Sequence, residues 1–427
     1  MGYGRRSQQK GDGLMIAAKT ARSSKLLLIA ALLVPLLTGC WDRLELEDRA
    51  VVLGISVDLA KPEAAKREEN VSHLTGAFPV PNNPTLRVAV QIALPGRIPL
   101  GPGEGGGGGK GGAETTVWVV DVPGHTVDDA LMNLQQQVSG RLFFGHLRVI
   151  VVSEAFARQG MQNLNDYLHR NPEVRRMAWM MISKGNAIEL MKAAPKLERV
   201  PSLYLMSTLD NAVKLGKFPV DYVGMFWSNL AKKGQEAYLP YVELQKEQNI
   251  LVKGMSFFKD DKMVGSTMPF EVASYMSIKG MNPAGYRGFV RIGGDPTKTV
   301  TIFATSRKSN IIPSIRNGKP YFKVFIFTEI NMEEKLNDNF SVNGSKVLKD
   351  IQEQDSSSIT KACEKLVEKT QKAQSDIFGF GEYVRAKMPG YWNKYVKTPE
   401  AWQKLYPEVG IEIVEISRLR RVGMKAK

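Results

Sequence analysis

What the chain is short of narrows its chemistry first. Its 427 residues include two cysteines, Cys40 and Cys363, too few for a disulfide framework. Four histidines, His73, His125, His146 and His169, show no H-E-x-x-H or other paired spacing, so no metal ligands are assigned. No serine stands in a G-x-S-x-G elbow, and nothing singles out one acidic pair as general acid and base. The glycine tract at 101–112 satisfies Gly103-x-Gly105-x-x-Gly108 only because any glycine run does, and no helix follows it. The phosphate-loop pattern fails twice, with Glu104 in place of its first glycine and Gly111 after Lys110 where Ser or Thr belongs. The tract reads as a flexible linker. The sequence therefore assigns no catalytic residue, no cofactor and no metal.

A long apolar run is missing too. Residues 26–37 are apolar, but these 12 fall short of the ~20 that a spanning helix needs. Basic residues precede them, which is the layout of a signal peptide. The run ends in Leu37-Thr38-Gly39-Cys40, which resembles a bacterial lipobox. That resemblance implies cleavage between Gly39 and Cys40, an S-diacylglycerol group on Cys40 and an N-acyl group on its new amine. Two or more buried acyl chains anchor stably where one does not. Arg5-Arg6 lacks the apolar sequence a twin-arginine signal would place after it, and Met15 offers an alternative start to Met1. The formal charge is +15, of which the leader accounts for +5, leaving +10 beyond residue 39. Such a surplus suits anionic lipid, wall polymer or an acidic partner.

Period-2 alternation at 51–59 and 85–94 marks half-buried strands, with a charged and then proline-rich loop between them. A third strand is expected at 115–120. Thr126-Val127-Asp128-Asp129 opens a helix in capping-box style. An apolar run at 147–152, a helix at 154–169 and a strand at 177–182 have the length of a βαβ unit. A short helix near 187–193 follows, and residues 201–249 read less clearly, as short helices and a Pro-Tyr segment at Pro240-Tyr241. A hairpin is expected at 251–265, strands at 287–293, 299–306 and 320–330, and an Asn317-Gly318 turn. A long amphipathic helix spans 346–377, with Cys363 on its apolar stripe as a buried structural thiol. Trp392 and Trp402 read as core aromatics, and a strand at 411–416 closes the chain. No internal repeat is visible. The fold class is α+β, with mixed sheets flanked by helices. The length allows two or three domains after the 1–39 signal peptide, the first of α/β type at 40–200.

Four blocks carry a family resemblance: "LTGCWDRLELEDRAVVLGISVD", "GHTVDDALMNLQQQVSGRLFFGHLRVIVVSEAFARQGMQNLNDYLHR", "GMSFFKDDKMVG", and the pair "DIFGFGEYVRAKMPGYWNKY" and "AWQKLYPEVGIEIVEISRLRRVG". In this order they resemble the C-subunit lipoproteins of bacterial spore germinant receptors, the Ger(x)C family. The glycine tract and the extension before Met15 depart from the family pattern. The resemblance implies three domains: 40–200 of α/β type, a middle 201–284, and a C-terminal α+β domain at 285–427. It also implies a lipid-anchored subunit on the outer face of the cytoplasmic (spore inner) membrane. Its implied partners are A-type and B-type membrane subunits and, through Cys40, the bilayer; nucleic acid is not among them. The family supplies no catalytic residue, so assembly and not catalysis is the implied role in nutrient-triggered germination. The alternatives are a solute-binding lipoprotein of a transporter, which needs two lobes with crossing hinge strands, and an exported wall hydrolase, whose motifs are missing.

Overall fold

The computed structural model describes residues 48–61, 63, 84–94, 116–193, 198–246, 249–337, 340–342 and 344–421. The chain divides into two units, Met1–Arg49 and Ala50–Lys427, and both sheets belong to the second. Among the described residues the first sheet has nine strands. β1 (Arg49–Leu59), β2 (Leu86–Ala93) and β3 (Val117–Gly124) form an antiparallel side. Short β4 (Arg141–Phe143) pairs with β1, whose Gly54 to Val57 run parallel to β5 (Val149–Ser153). β6 (Trp179–Ser183) and β7 (Tyr238–Leu244) continue in parallel, and β8 (Ile250–Lys259) and β9 (Lys262–Ser266) close the far edge as a hairpin.

β5 and β6 are buried at every position, which is why they read as continuous apolar runs without alternation. Ile150, Val152, Met180 and Ile182 meet α1 (Val127–Gln135), α2 (Glu154–Gln159), α3 (Gln162–Arg170) and α6 (Val223–Leu230) on one face. Val149, Val151, Trp179 and Met181 meet α4 (Ala187–Lys192) and α5 (Pro201–Lys214) on the other. The Thr126 hydroxyl accepts from the Asp129 N–H at 3.1 Å, capping α1 as its sequence predicts.

Four sequence expectations need correction. The helix expected at 154–169 is two helices, broken at Gly160 with φ of 132°. The turn of the β8–β9 hairpin docks at the break: the Asp261 carbonyl accepts from the Met161 N–H at 3.0 Å and its carboxylate from the Gln162 N–H at 3.1 Å. A contact nearly a hundred residues away thus supplies the cap of α3. The long helix, α8 (Ser345–Lys372), stops short of residue 377 because Gln374 turns left-handed at φ 55°. The strands expected at 51–59 and 85–94 as half-buried are closed on both faces, with Val52 to Asp58 and Val88 to Ile92 all buried between helices or neighbouring side chains. Residues 201–249, expected as short helices and a Pro-Tyr segment, fold as α5, α6 and β7. Pro240 is accommodated in β7 because β6 pairs only with Tyr241 and Val242, so the missing N–H removes nothing from that ladder.

The second sheet has the order β10 (Arg287–Arg291), β11 (Thr299–Arg316), β12 (Lys319–Lys335), β13 (Gly410–Arg421). Asn317 and Gly318, at φ 49° and 75°, form the two-residue turn joining its longest strands. Along β12 burial alternates, with Phe322, Val324, Ile326 and Ile330 inward and Phe327 outward. α8 packs on the inner face through Ile351, Ile359, Cys363 and Leu366. α7 (Pro269–Ile278), α9 (Phe380–Lys387) and α10 (Pro399–Leu405) complete that core, which runs on to Tyr238 and Phe257 of the first sheet.

Candidate functional site

Gly39, Cys40, the glycine tract and Trp41-Asp42 lie outside the described residues. Leu37, Thr38 and residues 43–47, 422 and 423 of the quoted blocks lie outside them too, and the other residues of the blocks can be placed. Asp58 ends β1 buried, and its carboxylate accepts from the Ala187 and Ile188 N–H groups at 2.6 and 3.0 Å. Burial raises its pKa above the ordinary carboxylate value against the pull of those N–H groups. Its role is to join the first strand to the start of α4.

Asp376 does the same on a larger scale. It accepts from the N–H groups of Gly379 and Gly381 at 2.8 and 2.9 Å and from Trp402 Nε1 at 3.0 Å. Burial pushes its pKa up to about 6, the backbone donors opposing. A Cβ on Gly381 would stand 2.6 Å from Trp402, so only glycine lets α9 approach that closely. The Asp376 carbonyl accepts from the Glu236 N–H, and Gln403 Nε2 bridges the Glu236 and Asp260 carboxylates at 2.8 Å each. Burial raises Glu236 to about 7. These bonds tie the loop before β7 and the turn after β8 to the C-terminal helices. Trp392 and Trp402 are both buried in that core, as their helical spacing suggests.

A third group lies between α8 and β13. The Ser417 hydroxyl stands 2.5 Å from Asp355 and 3.0 Å from Glu415, while Ser356 contacts Glu415 at 2.6 Å. Burial pushes Asp355 up to about 7 and raises Glu415 as well. The pair sits inside a helix–sheet interface with its oxygens taken up by hydroxyls, which is structural use of polar groups. Cys363 is fully buried, its Sγ 3.7 Å from the Ser274 carbonyl, and burial pushes the thiol up to about 12, far from a nucleophile's range. His169 stacks on Trp227 with centroids 3.8 Å apart, and His125 is buried in the first core region. Among the described residues no group of histidine, cysteine and carboxylate side chains could hold a metal ion.

Two adjoining clefts of about 640 and 520 Å³ share Asn163 and Asp166 of α3. The larger places Arg141 and Arg170 opposite Asp128, Asp166 and Glu173. Asp166 is paired with Arg170 at 2.8 Å, and Glu173 accepts from the Phe144 N–H at 2.9 Å. Such a bipolar recess can hold a polar ligand or a partner's loop, but it lacks an activated nucleophile. Sequence reading had no access to it, because it gathers α1, β4 and α3 through tertiary packing.

Comparison with known proteins divides the chain between β7 and β8, inside the first sheet. Residues 42–244 match the model of the spore germination protein N-terminal domain, and residues 253–423 match the spore germination B3/GerAC-like C-terminal model. Spore germination protein KC of Bacillus subtilis (strain 168) is 25% identical over 423 residues, covering 95% of this chain and 97% of the relative. The putative spore germination protein YfkR of the same organism is 26% identical over 401 residues, covering 92% and 95%. The crystal structure of the GerBC protein superposes with a TM-score of 0.53 at 19% identity, over 80% of this chain and 96% of that one. With two family models matching in tandem over most of its length, the chain belongs to the GerAC-like family of spore germination proteins.

Proposed function

We propose that the protein is the lipid-anchored C subunit of a spore germinant receptor, required for nutrient-triggered germination and acting by assembly with other subunits and not by catalysis. The carrying observation is the tandem family match, together with relatives that are named as spore germination proteins over nearly their full lengths. The geometry is consistent with this role. The buried carboxylates are engaged in caps and interdomain ties, and the thiol of Cys363 is inert. No described helix is long and apolar enough to cross a membrane. The anchor is Cys40, at the end of the lipobox-like Leu37-Thr38-Gly39-Cys40, on the outer face of the cytoplasmic (spore inner) membrane, with A-type and B-type membrane subunits as partners. The solute-binding alternative fits less well, since one continuous sheet carries strands from residue 49 to residue 266 instead of two hinged lobes.

Metabolic labelling with a fatty-acid probe tests the anchor. Wild-type chain takes up label and Cys40→Ala does not; equal label on both would defeat the lipobox reading. Deleting the gene tests the role: spores should form normally and fail to respond to their nutrient, and an unchanged nutrient response would remove the receptor assignment.

A further inference from the structure

The two ends of the first sheet carry charge differently. At the end where β1, β5 and β6 finish, cations and acids are paired: Arg87 with Asp121, Arg158 with Glu154, and Lys184 and Lys253 with Glu243. The other end is where β1 starts. There the Arg148 N–H donates to the Leu53 carbonyl, and the Trp179 N–H donates to the Arg148 carbonyl, so the residues just ahead of β5 and β6 are level with the first half of β1. β4 takes the stretch of β1 ahead of Gly54, since β5 occupies Gly54 to Val57 on that edge. The Thr116 hydroxyl, beside β3, donates to the Arg199 carbonyl at 3.2 Å. Arg141, Arg148, Arg175, Arg176 and Arg199 therefore crowd one rim, all exposed, and none forms an ion pair among the described residues. Apolar side chains stand among them: Met177 is 73% exposed and Trp118 is 45% exposed. Met225, also half exposed, follows Gly224, whose N–H donates to the Arg176 carbonyl.

This rim is also where the chain arrives from its anchor. Nine residues lie between Cys40 and Ala50, and the ten steps along the chain span at most ~35 Å fully extended. β1 is itself 11 residues long and rises ~3.3 Å per residue, so its far end is held a further strand length away. Unpaired arginines with interspersed Met and Trp suit the interface of an anionic bilayer, where guanidinium groups meet phosphates and amphipathic rings sit at the headgroup level.

We propose that this arginine rim at the N-terminal end of the parallel strands is a docking surface for anionic phospholipid, which seats the tethered body on the membrane in one orientation. The inference rests on the Cys40 anchor proposed above. A body seated by this rim presents the opposite, charge-paired end of the sheet away from the bilayer.

The test uses the full-length chain reconstituted into vesicles of phosphatidylcholine alone or with added phosphatidylglycerol. An environment-sensitive thiol dye is placed on Met177→Cys at the rim or on Lys61→Cys at the far end, with the unsubstituted chain as labelling background. The chain should float with both vesicle types through its lipid. The dye at position 177 should shift to the blue only on vesicles containing phosphatidylglycerol, and the dye at 61 on neither. The shift should disappear in ~1 M salt, where the screening length falls to ~3 Å. It should also disappear in the triple variant Arg148→Glu, Arg175→Glu, Arg176→Glu, whose melting temperature should match the parent because all three side chains are exposed and unpaired. Flotation without a shift at 177, an equal shift at 61, or a shift that survives charge reversal in the folded triple variant would overturn the proposal. A shift that needs membranes containing other receptor subunits would overturn it in favour of a protein occupant. A chain that does not float at all fails the anchor reading instead, and flotation reports this separately.

Discussion

The first sheet is covered on both faces, and the second on one. In the first, β5 and β6 have no solvent-facing side and their sequence is apolar throughout. In the second, α8 covers the inner face while Ile312, Phe327 and Ile416 remain 46%, 50% and 47% exposed on the outer side. The difference teaches where substitutions are felt. A parallel centre packed by helices above and below leaves no direction in which a polar group can reach water. A mixed sheet with one open face tolerates change at every second residue.

The largest expected effect comes from putting a charge in the two-sided centre. Val151→Asp should cost at least ~4 kcal/mol, enough to stop the chain accumulating, because a carboxylate there is cut off from water in an apolar core with the buried Ser56 as a cross-strand neighbour. Expression level and urea denaturation of any recovered protein check this; a soluble, cooperatively folding variant would show that the centre is less closed than its burial indicates. Next is the buried cap of α9. Asp376→Ala strands two backbone N–H groups and the Trp402 Nε1 donor in the core, and should cost ~3–5 kcal/mol. Gly381→Ala should destabilise through the clash with Trp402, and denaturation curves of both variants measure the losses.

A smaller and graded effect is expected from pH. Glu236 and Asp355 are held near 7, Asp376 near 6, and burial raises Asp58, Asp221 and Glu415 as well. An acid whose pKa is raised in the fold binds protons more readily folded than unfolded. Its contribution is therefore fully present below the ordinary carboxylate range and is lost as pH rises through the folded value. The melting temperature should rise as pH falls from 8 towards 5. Exposed carboxylates held low by cations, such as Glu243 at about 2, oppose this only in stronger acid. A melting temperature that is flat or falling over that range would contradict the buried-acid account. The smallest effect belongs to the open face: Phe327→Ser should change stability by ~0.5 kcal/mol or less, and a larger loss by denaturation would mean that something covers that face.

Much of the fold was legible because it is written locally. The alternation at 51–59 became β1, Thr126 caps α1, Asn317-Gly318 turns β11 into β12, and Cys363 lies on the buried stripe of α8. Each depends on neighbours within a few residues or on a periodicity. Within 201–249 the short helices were legible but β7 was not, because Pro240 stands in its middle and only the short reach of β6 lets it fit there. The clefts beside α3 were hidden for a related reason, as their walls come from separate elements.

The sequence by itself determined the α+β class, the family blocks and the shortage of catalytic and metal-binding patterns, because these lie in residue types and short-range spacing. Tertiary structure alone decided that Asp261 splits the helix expected at 154–169, that Asp58 and Asp376 serve as buried caps, and that five arginines meet on one rim. These depend on pairs up to 130 residues apart, such as Asp58 and Ile188. A carboxylate's or guanidinium's role is set by which donors, acids or solvent the packed chain brings to it, and one-dimensional spacing carries no record of that.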